Sequence, residues 1–459
     1  MGSTFSGVTA FALMACMLLI GTVLRARIGM FRNALLPASL IGGGVGFALV
    51  SLDWSLGYQS SDFTAFTFHF FTLSFMSLVL TGREKSSVGT SIIPGGSWLS
   101  VVWVTSLVLQ ALVGLAVIVG YNSLSEQPIS EYLGILVTHG FTQGPGQALA
   151  MGAIWEGELG VDHAISFGLI YASIGFVAAF AIGIPVVRYA IRHGLNSNPA
   201  ARIDDEFLSG MLARDSQVSA GRQITHSGNV DTLAFHLSIL AVAYVLTDQY
   251  LKFMQPMASE VTLAGVNFGL IFSHNLFFFH GLMITVALRA LIDALGFGHY
   301  IDNETQKRIT GSSVDLMVVA TLMSIEFAML ATYFVPIALV CVAAAACTAL
   351  LCFGLARRLG ALGIERAVTI FGCCCGSTGS GLLLLRMLDP TLSTPIAKEL
   401  AFFNIAILVI SFHVLMLMAP ILPSFSLGTI VSVYGATFVV GAAAALYLGG
   451  RVAKANPDF

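Results

Sequence analysis

Charge-poor runs of about twenty apolar residues, repeated along the whole chain, constrain this sequence more than any other feature. A bilayer core about 30 Å thick takes roughly 20 apolar residues per helix. Eleven segments qualify: 5–24, 34–52, 63–81, 98–120, 163–190, 231–251, 261–288, 313–331, 332–356, 397–420 and 427–449. Of 459 residues, 56% are apolar and 10% charged, against about 25% charged in an ordinary soluble domain. A water-soluble fold could not cover that much apolar surface. The expectation is an all-α polytopic membrane protein. With a net charge of −3, no basic surface points to a nucleic-acid partner.

Two further apolar stretches, 131–156 and 364–386, are interrupted at their centres by glycine and polar residues. Each half is about nine to eleven residues, which at 1.5 Å per residue reaches only midway. Loop charge tests whether they cross. With both stretches returning to the side they left, and the N-terminus outside, the inner loops collect Arg25, Arg27, Arg32, Arg83, Lys85, Arg188, Arg192, Arg202, Arg214 and Arg222. They also collect Arg289, Lys307, Arg308, Arg357, Arg358, Arg366, Arg386, Lys398, Arg451 and Lys454, leaving only Lys252 of the 21 basic residues outside. Counting either stretch as a crossing would destroy that asymmetry.

The chain therefore reads as two five-helix repeats of opposite orientation, each with a re-entrant hairpin. They are 1–192 (hairpin 131–156) and 231–423 (hairpin 364–386), joined by a cytoplasmic linker, 193–230. A further helix and tail, 424–459, place the C-terminus inside. The sequence Val137-Thr138 before Gly140-x-x-x-Gly144 is echoed by Val368-Thr369 before Gly372-x-x-x-Gly376. Inverted repeats with discontinuous helices are a pattern of secondary transporters. Phe5 to Leu24 reads as a first span rather than a signal peptide, because its basic residues follow it instead of preceding it.

Function is expected at the two interruptions. Unwound main chain at membrane depth is costly unless it lines a cavity or is buried in protein. Its carbonyls can hold a cation, and the N-terminal end of the next half-helix can hold a carboxylate. The first interruption runs Thr138-His139-Gly140-Phe141-Thr142-Gln143-Gly144-Pro145-Gly146-Gln147, with helix resuming at about Gln147. The second runs Gly372 to Gly381, with helix from Leu382. The glycines Gly42, Gly43, Gly44 and Gly46 read instead as close helix packing. Glu326 is either a coupling carboxylate or a packing residue. His69, His236 and His413 read as interhelical hydrogen-bonders, with His139 the histidine nearest a break. Asp162 precedes a helix as an ordinary N-cap.

Seven cysteines fall in apolar or glycine-rich stretches, unlike a disulfide framework. Cys373, Cys374 and Cys375 are adjacent and cannot all turn to one metal ion. No HExxH, GxSxG or Walker lysine is present, so no enzyme is expected.

The residues Gln143-Gly144-Pro145-Gly146-Gln147-Ala148, Cys375-Gly376 with Gly379-Ser380-Gly381, Leu36-Pro37-Ala38 and Ile182 to Tyr189 resemble the bacterial sodium/glutamate symporter family over roughly 15–423. Three departures stand out. Pro145 replaces a family histidine, Leu382 to Leu385 and Arg386 replace an Ala-Thr-Pro-Thr, and a helix is added at the end. The resemblance implies a sodium-coupled symporter, a homodimer in the bacterial cytoplasmic membrane, moving glutamate or a related small carboxylate by an elevator-like displacement. The substrate is then expected at Thr142, Gln143, Gly144, Gly146, Gln147, Ser377, Thr378, Gly379, Ser380 and Gly381. Sodium is expected at backbone oxygens of Thr138, Gly140, Cys375 and Gly376, with Glu326 and His139 as coupling candidates. A cation/proton antiporter working through Glu326 is the alternative, and a channel or membrane scaffold a third reading.

Overall fold

The computed structural model describes residues 2–81, 92–198, 201, 204–217, 221–263, 266–360, 362–390 and 392–455. Arg83, Lys85 and Arg202, counted above among the inner-loop cations, lie outside the described residues. In chain order the longer helices are α1 (Gly2–Arg27), α2 (Ala38–Ser51), α3 (Ser61–Leu80), α4 (Ile92–Leu124), α5 (Tyr132–Phe141), α6 (Pro145–Leu159), α7 (Ala164–Arg192) and α8 (Thr232–Ser259). They continue with α9 (Phe277–Ala294), α10 (Asn303–Met323), α11 (Phe334–Ala356), α12 (Gly363–Cys375), α13 (Thr378–Leu388), α14 (Ile396–Ile410) and α15 (Leu427–Ala455).

The all-helical expectation holds, apart from one two-residue strand pair, Thr262–Leu263 with Val266–Asn267. Among the described residues eight helices are long and apolar enough to cross a bilayer, or nine if α14 and the segment His413–Ser424, bent by 50°, form one span. Eleven were expected, and the difference has local causes. α2 has 14 residues, about 21 Å at 1.5 Å per residue. α10 starts ten residues before the expected 313, because the Asp302 carboxylate caps it by accepting the Thr305 N–H at 2.9 Å. It ends at Met323, and a break at 324–326 separates it from a six-residue helix, Phe327–Thr332. The expected crossing 261–288 is kept but shifted to His274–Ala294, because the chain before it forms the strand pair and 3₁₀ turns.

The chain clusters into two compact units. The first is Met1–Leu24, Ile41–Ser86 and Gly210–Ser324; the second is Arg25–Leu40, Ser87–Ser209 and Ile325–Phe459. Each of the two expected halves contributes to both. Its opening helices join the first unit, and its interrupted stretch with the flanking helices joins the second.

In the first unit α3 lies along α10, and the Ser77 hydroxyl donates to Gln306 Oε1 at 2.7 Å. Met14, Met17, Phe63, Val319 and Met323 form part of its core. Gly42 backs onto Met17, Gly43 onto Leu322 and Gly46 onto Met323, with no room for a Cβ, as the packing reading requires, but Gly44 is exposed and has open space beside it. His236 bonds Thr232 O and the Asp302 N–H, a satisfied histidine. In the second unit α4 is the central post. α5, α11, α12, α14 and α15 all pack on it, around the buried Trp98, Val102, Leu107 and Val108. Val439, Val440 and Tyr447 on α15 stay exposed, an apolar face suited to lipid.

Candidate substrate and ion site

The first tip is shaped by small residues. Gly134 of α5 abuts Gly114 of α4, and Gly140 abuts Ala172 of α7, each without space for a Cβ. Gly140 and Phe141 meet α7 at Ala172 and Gly175, whereas Ala148 and Gly152 of α6 meet it at Gly168 and Ala164. α6 thus runs antiparallel to α7, while the end of α5 reaches α7 further along, at Ala172 and Gly175. Gly144 makes the turn at φ 91°, backbone that glycine adopts without strain. Pro145 then starts α6, where its missing N–H is no loss. The non-helical residues are therefore only Thr142 to Gly144, and helix resumes two residues before the expected Gln147.

The second tip is tighter still. α12 continues through Cys375, and only Gly376 and Ser377 are unwound, so α13 begins four residues before the expected Leu382. Gly372 packs against Gly381, whose own missing Cβ leaves room for Cys373. This close approach keeps both arms helical up to the tip. Ser377 is extended, and its hydroxyl caps α13 by accepting the Ser380 N–H at 3.4 Å.

The tips meet through a residue outside both hairpins. Gln110 of α4, fully buried, donates through Nε2 to Cys374 O at 2.9 Å and to Thr348 Oγ1 of α11 at 2.8 Å. Its Oε1 accepts the Thr142 hydroxyl at 2.6 Å, and that hydroxyl lies 3.2 Å from Cys374 O. The helical partner of Cys374 O would be the N–H of Thr378, beyond the break, so this carbonyl is free for side chains. Gly175 of α7 closes the other side, against both Cys375 O and Phe141.

Placement of the remaining candidates is uneven. Thr142 and Gln143 are buried, while Gln147, Ser377 and Thr378 are half-buried and Gly379 is exposed. Thr378 donates to Asn404 Oδ1 of α14 at 3.1 Å. His139 Nδ1 bonds Gln143 Oε1 at 3.1 Å, and His139 Nε2 and Gln143 Nε2 have no partner among the described residues. Of the expected sodium ligands, Thr138 has its backbone O accepting the Thr142 N–H at 3.0 Å and its hydroxyl donating to Leu107 O at 2.7 Å. Glu326 is exposed in the break after α10, not buried inside a span.

Charge is buried elsewhere in this unit. Arg366 of α12 and Glu399 of α14 are both fully buried and form a two-pronged pair, at 2.8 and 2.7 Å. Arg366 is therefore a structural cation rather than a loop residue facing water. Gly95 of α4 lies against the Glu399 carboxylate, with no room for a Cβ. At the base of the second hairpin, Glu365 accepts the Ser197 N–H at 2.6 Å and Asp389 accepts Asn198 Nδ2 at 2.9 Å. Burial pushes the Asp389 carboxyl up, but hydrogen bonds from Thr394, Asn198 and Ser393 outweigh it and hold the group below the usual carboxylate range.

Sequence reasoning missed Gln110, Thr348 and the Arg366–Glu399 pair. The available signal was a lone amide within an apolar run, a costly feature that marks function by default.

No curated protein matches this chain. The family model described as sodium/glutamate symporter matches residues 3–382, ending inside α13, so α14 and α15 lie beyond the matched residues. With the match spanning both interrupted tips and the α4 post between them, the chain belongs to the sodium/glutamate symporter family.

Proposed function

We propose that this protein couples sodium to the inward symport of glutamate or a related small carboxylate across the bacterial cytoplasmic membrane. The observation that carries the proposal is the convergence of two helix breaks on Gln110 within one compact unit. The substrate carboxylate is held at the helix starts after the breaks, by the N–H groups of Gly146 and Gln147 and of Gly379, while Ser380 and Gly381, whose N–H groups bond Ser377, shape the second start. Thr142, Gln143, Gly144, Ser377 and Thr378 flank it, and the unpartnered Gln143 Nε2 is a ready donor. Sodium takes carbonyl and hydroxyl oxygens of the same tips. All these residues belong to the second unit, which supports an elevator-like step in which that unit carries its site as a whole. Both hairpins are re-entrant within inverted repeats, the start of α1 faces outward, the end of α15 faces the cytoplasm, and the protein works as a homodimer.

Each net charge moved inward gains about 2.3 kcal/mol per 100 mV. One sodium with one monovalent anion moves none, so voltage-driven uptake requires a second cation. The test is uptake of radiolabelled glutamate and small carboxylates into proteoliposomes, with and without an inward sodium gradient. Accumulation above equilibrium only with the gradient is expected. Gradient-independent equilibration of every candidate would remove the coupling.

A further inference from the structure

An open cavity of about 260 Å³ lies in the second unit, away from the hairpin tips, lined by Asn33, Arg188, Ile191, Arg192 and Leu208. Its volume is just under the range of about 300–1,000 Å³ usual for small-molecule pockets. Arg188 and Arg192 sit one turn apart at the end of α7, on the same face, where like charges repel. Among the described residues neither is paired with a carboxylate. Nearby, Arg32 pairs with Asp205, at 2.7 Å. Arg188 donates through Nη2 to Asn33 O, while its Nε is buried without an acceptor. Arg25 behaves alike: Nη2 reaches Phe207 O at 3.0 Å, and Nε is buried and unmatched. A buried guanidinium N–H without an acceptor is a cost that an incoming anion would relieve.

Chemistry selects the anion. Two guanidinium forks one turn apart match the tetrahedral oxygens of a phosphate ester better than a single planar carboxylate. Position selects its source. Arg25, Arg27, Arg32, Arg188 and Arg192 lie at helix ends that the charge asymmetry assigns to the inner face, where basic pockets meet anionic headgroups. Met30, on the short helix carrying Asn33, is 68% exposed, and Tyr189, beside Arg188, is 57% exposed. That apolar rim suits acyl chains. We propose that this pocket binds a phosphate ester, the headgroup of an anionic phospholipid.

The test is equilibrium binding to the purified full-length protein of short-chain phosphatidylglycerol, short-chain phosphatidylcholine and inorganic phosphate, each alone. Phosphatidylglycerol should bind saturably, and the Arg188→Gln, Arg192→Gln double variant should weaken it roughly tenfold or more. Ile191→Trp, which fills the cavity and keeps both charges, should also weaken it and covers the case in which the double variant fails to fold. Inorganic phosphate binding as tightly, with the same sensitivity to both variants, would keep the anion site and overturn its lipid source. Binding of phosphatidylglycerol no tighter than phosphatidylcholine, or unchanged in both variants, would overturn the proposal.

Discussion

Besides one to Ser106 on its own helix, Gln110 has hydrogen bonds to three other parts of the protein, at Thr348, Cys374 O and Thr142. Replacing it by leucine keeps the volume, strips Thr348 Oγ1 of a donor and leaves Thr142 and Cys374 O only their weaker bond to each other at 3.2 Å. Each buried polar group left unmatched costs about 1–3 kcal/mol. Gln110→Leu should therefore insert and purify normally while sodium-driven uptake falls about tenfold or more, checked by initial rates in proteoliposomes. The Arg366–Glu399 pair obeys a different rule. Removing one partner strands a buried charge and costs about 3–5 kcal/mol, whereas replacing both by apolar residues is often neutral. Glu399→Gln should lower the thermal midpoint in detergent, and Arg366→Met with Glu399→Leu should recover most of it. If the double variant is no more stable than the single, the pair is not held by mutual neutralisation.

At the scale of elements, two short arms joined at a two- or three-residue break behave as one rigid piece because glycines let them touch. Gly372 on Gly381 does this for α12 and α13, whereas α5 and α6 are each seated on α7, through Gly140 at Ala172 and Gly152 at Ala164. The base of the second hairpin is held differently, by Asp389 and Glu365 reaching the start of the linker at Asn198 and Ser197. Because the folded Asp389 carboxyl is held below its ordinary value, its contribution is present above the unfolded pKa and lost as pH falls through the folded one. Thermal stability in detergent should thus fall as pH drops from about 5 toward 3, and Asp389→Asn should show a shallower fall over that window. An identical pH profile in the variant would show that Asp389 does not carry it.

For the whole molecule, the division into two units matters more than the order of the chain. Every expected binding residue lies in the second unit, so movement of that unit would carry the site between faces. Gly379 is the exposed member of the second tip and reports on such movement. In a background with Cys16 and Cys347 replaced, the remaining thiols being buried, Gly379→Cys should react with a membrane-impermeant reagent from one face. Its labelling rate should change several-fold between sodium alone and sodium with substrate. A constant rate would count against the elevator step. Glu326, exposed at a helix break, should tolerate conversion to glutamine with uptake little changed.

The sequence alone determined that the chain is helical and membrane-bound, because apolar run length and loop charge answer to the bilayer, whose thickness and field are independent of the fold. It also located both helix breaks, since Gly144 with Pro145 and Gly376 with Ser377 act on their own backbone. Only the tertiary structure decided how short those breaks are, because Gly372 and Gly381 keep helix up to the tip only when pressed together. The meeting of Thr142 and Cys374 at Gln110, the pairing of Arg366 with Glu399 and the exposure of Glu326 were likewise decided there. Residues 32 to 264 positions apart become neighbours by packing, and no local pattern records which buried polar group a distant one will satisfy.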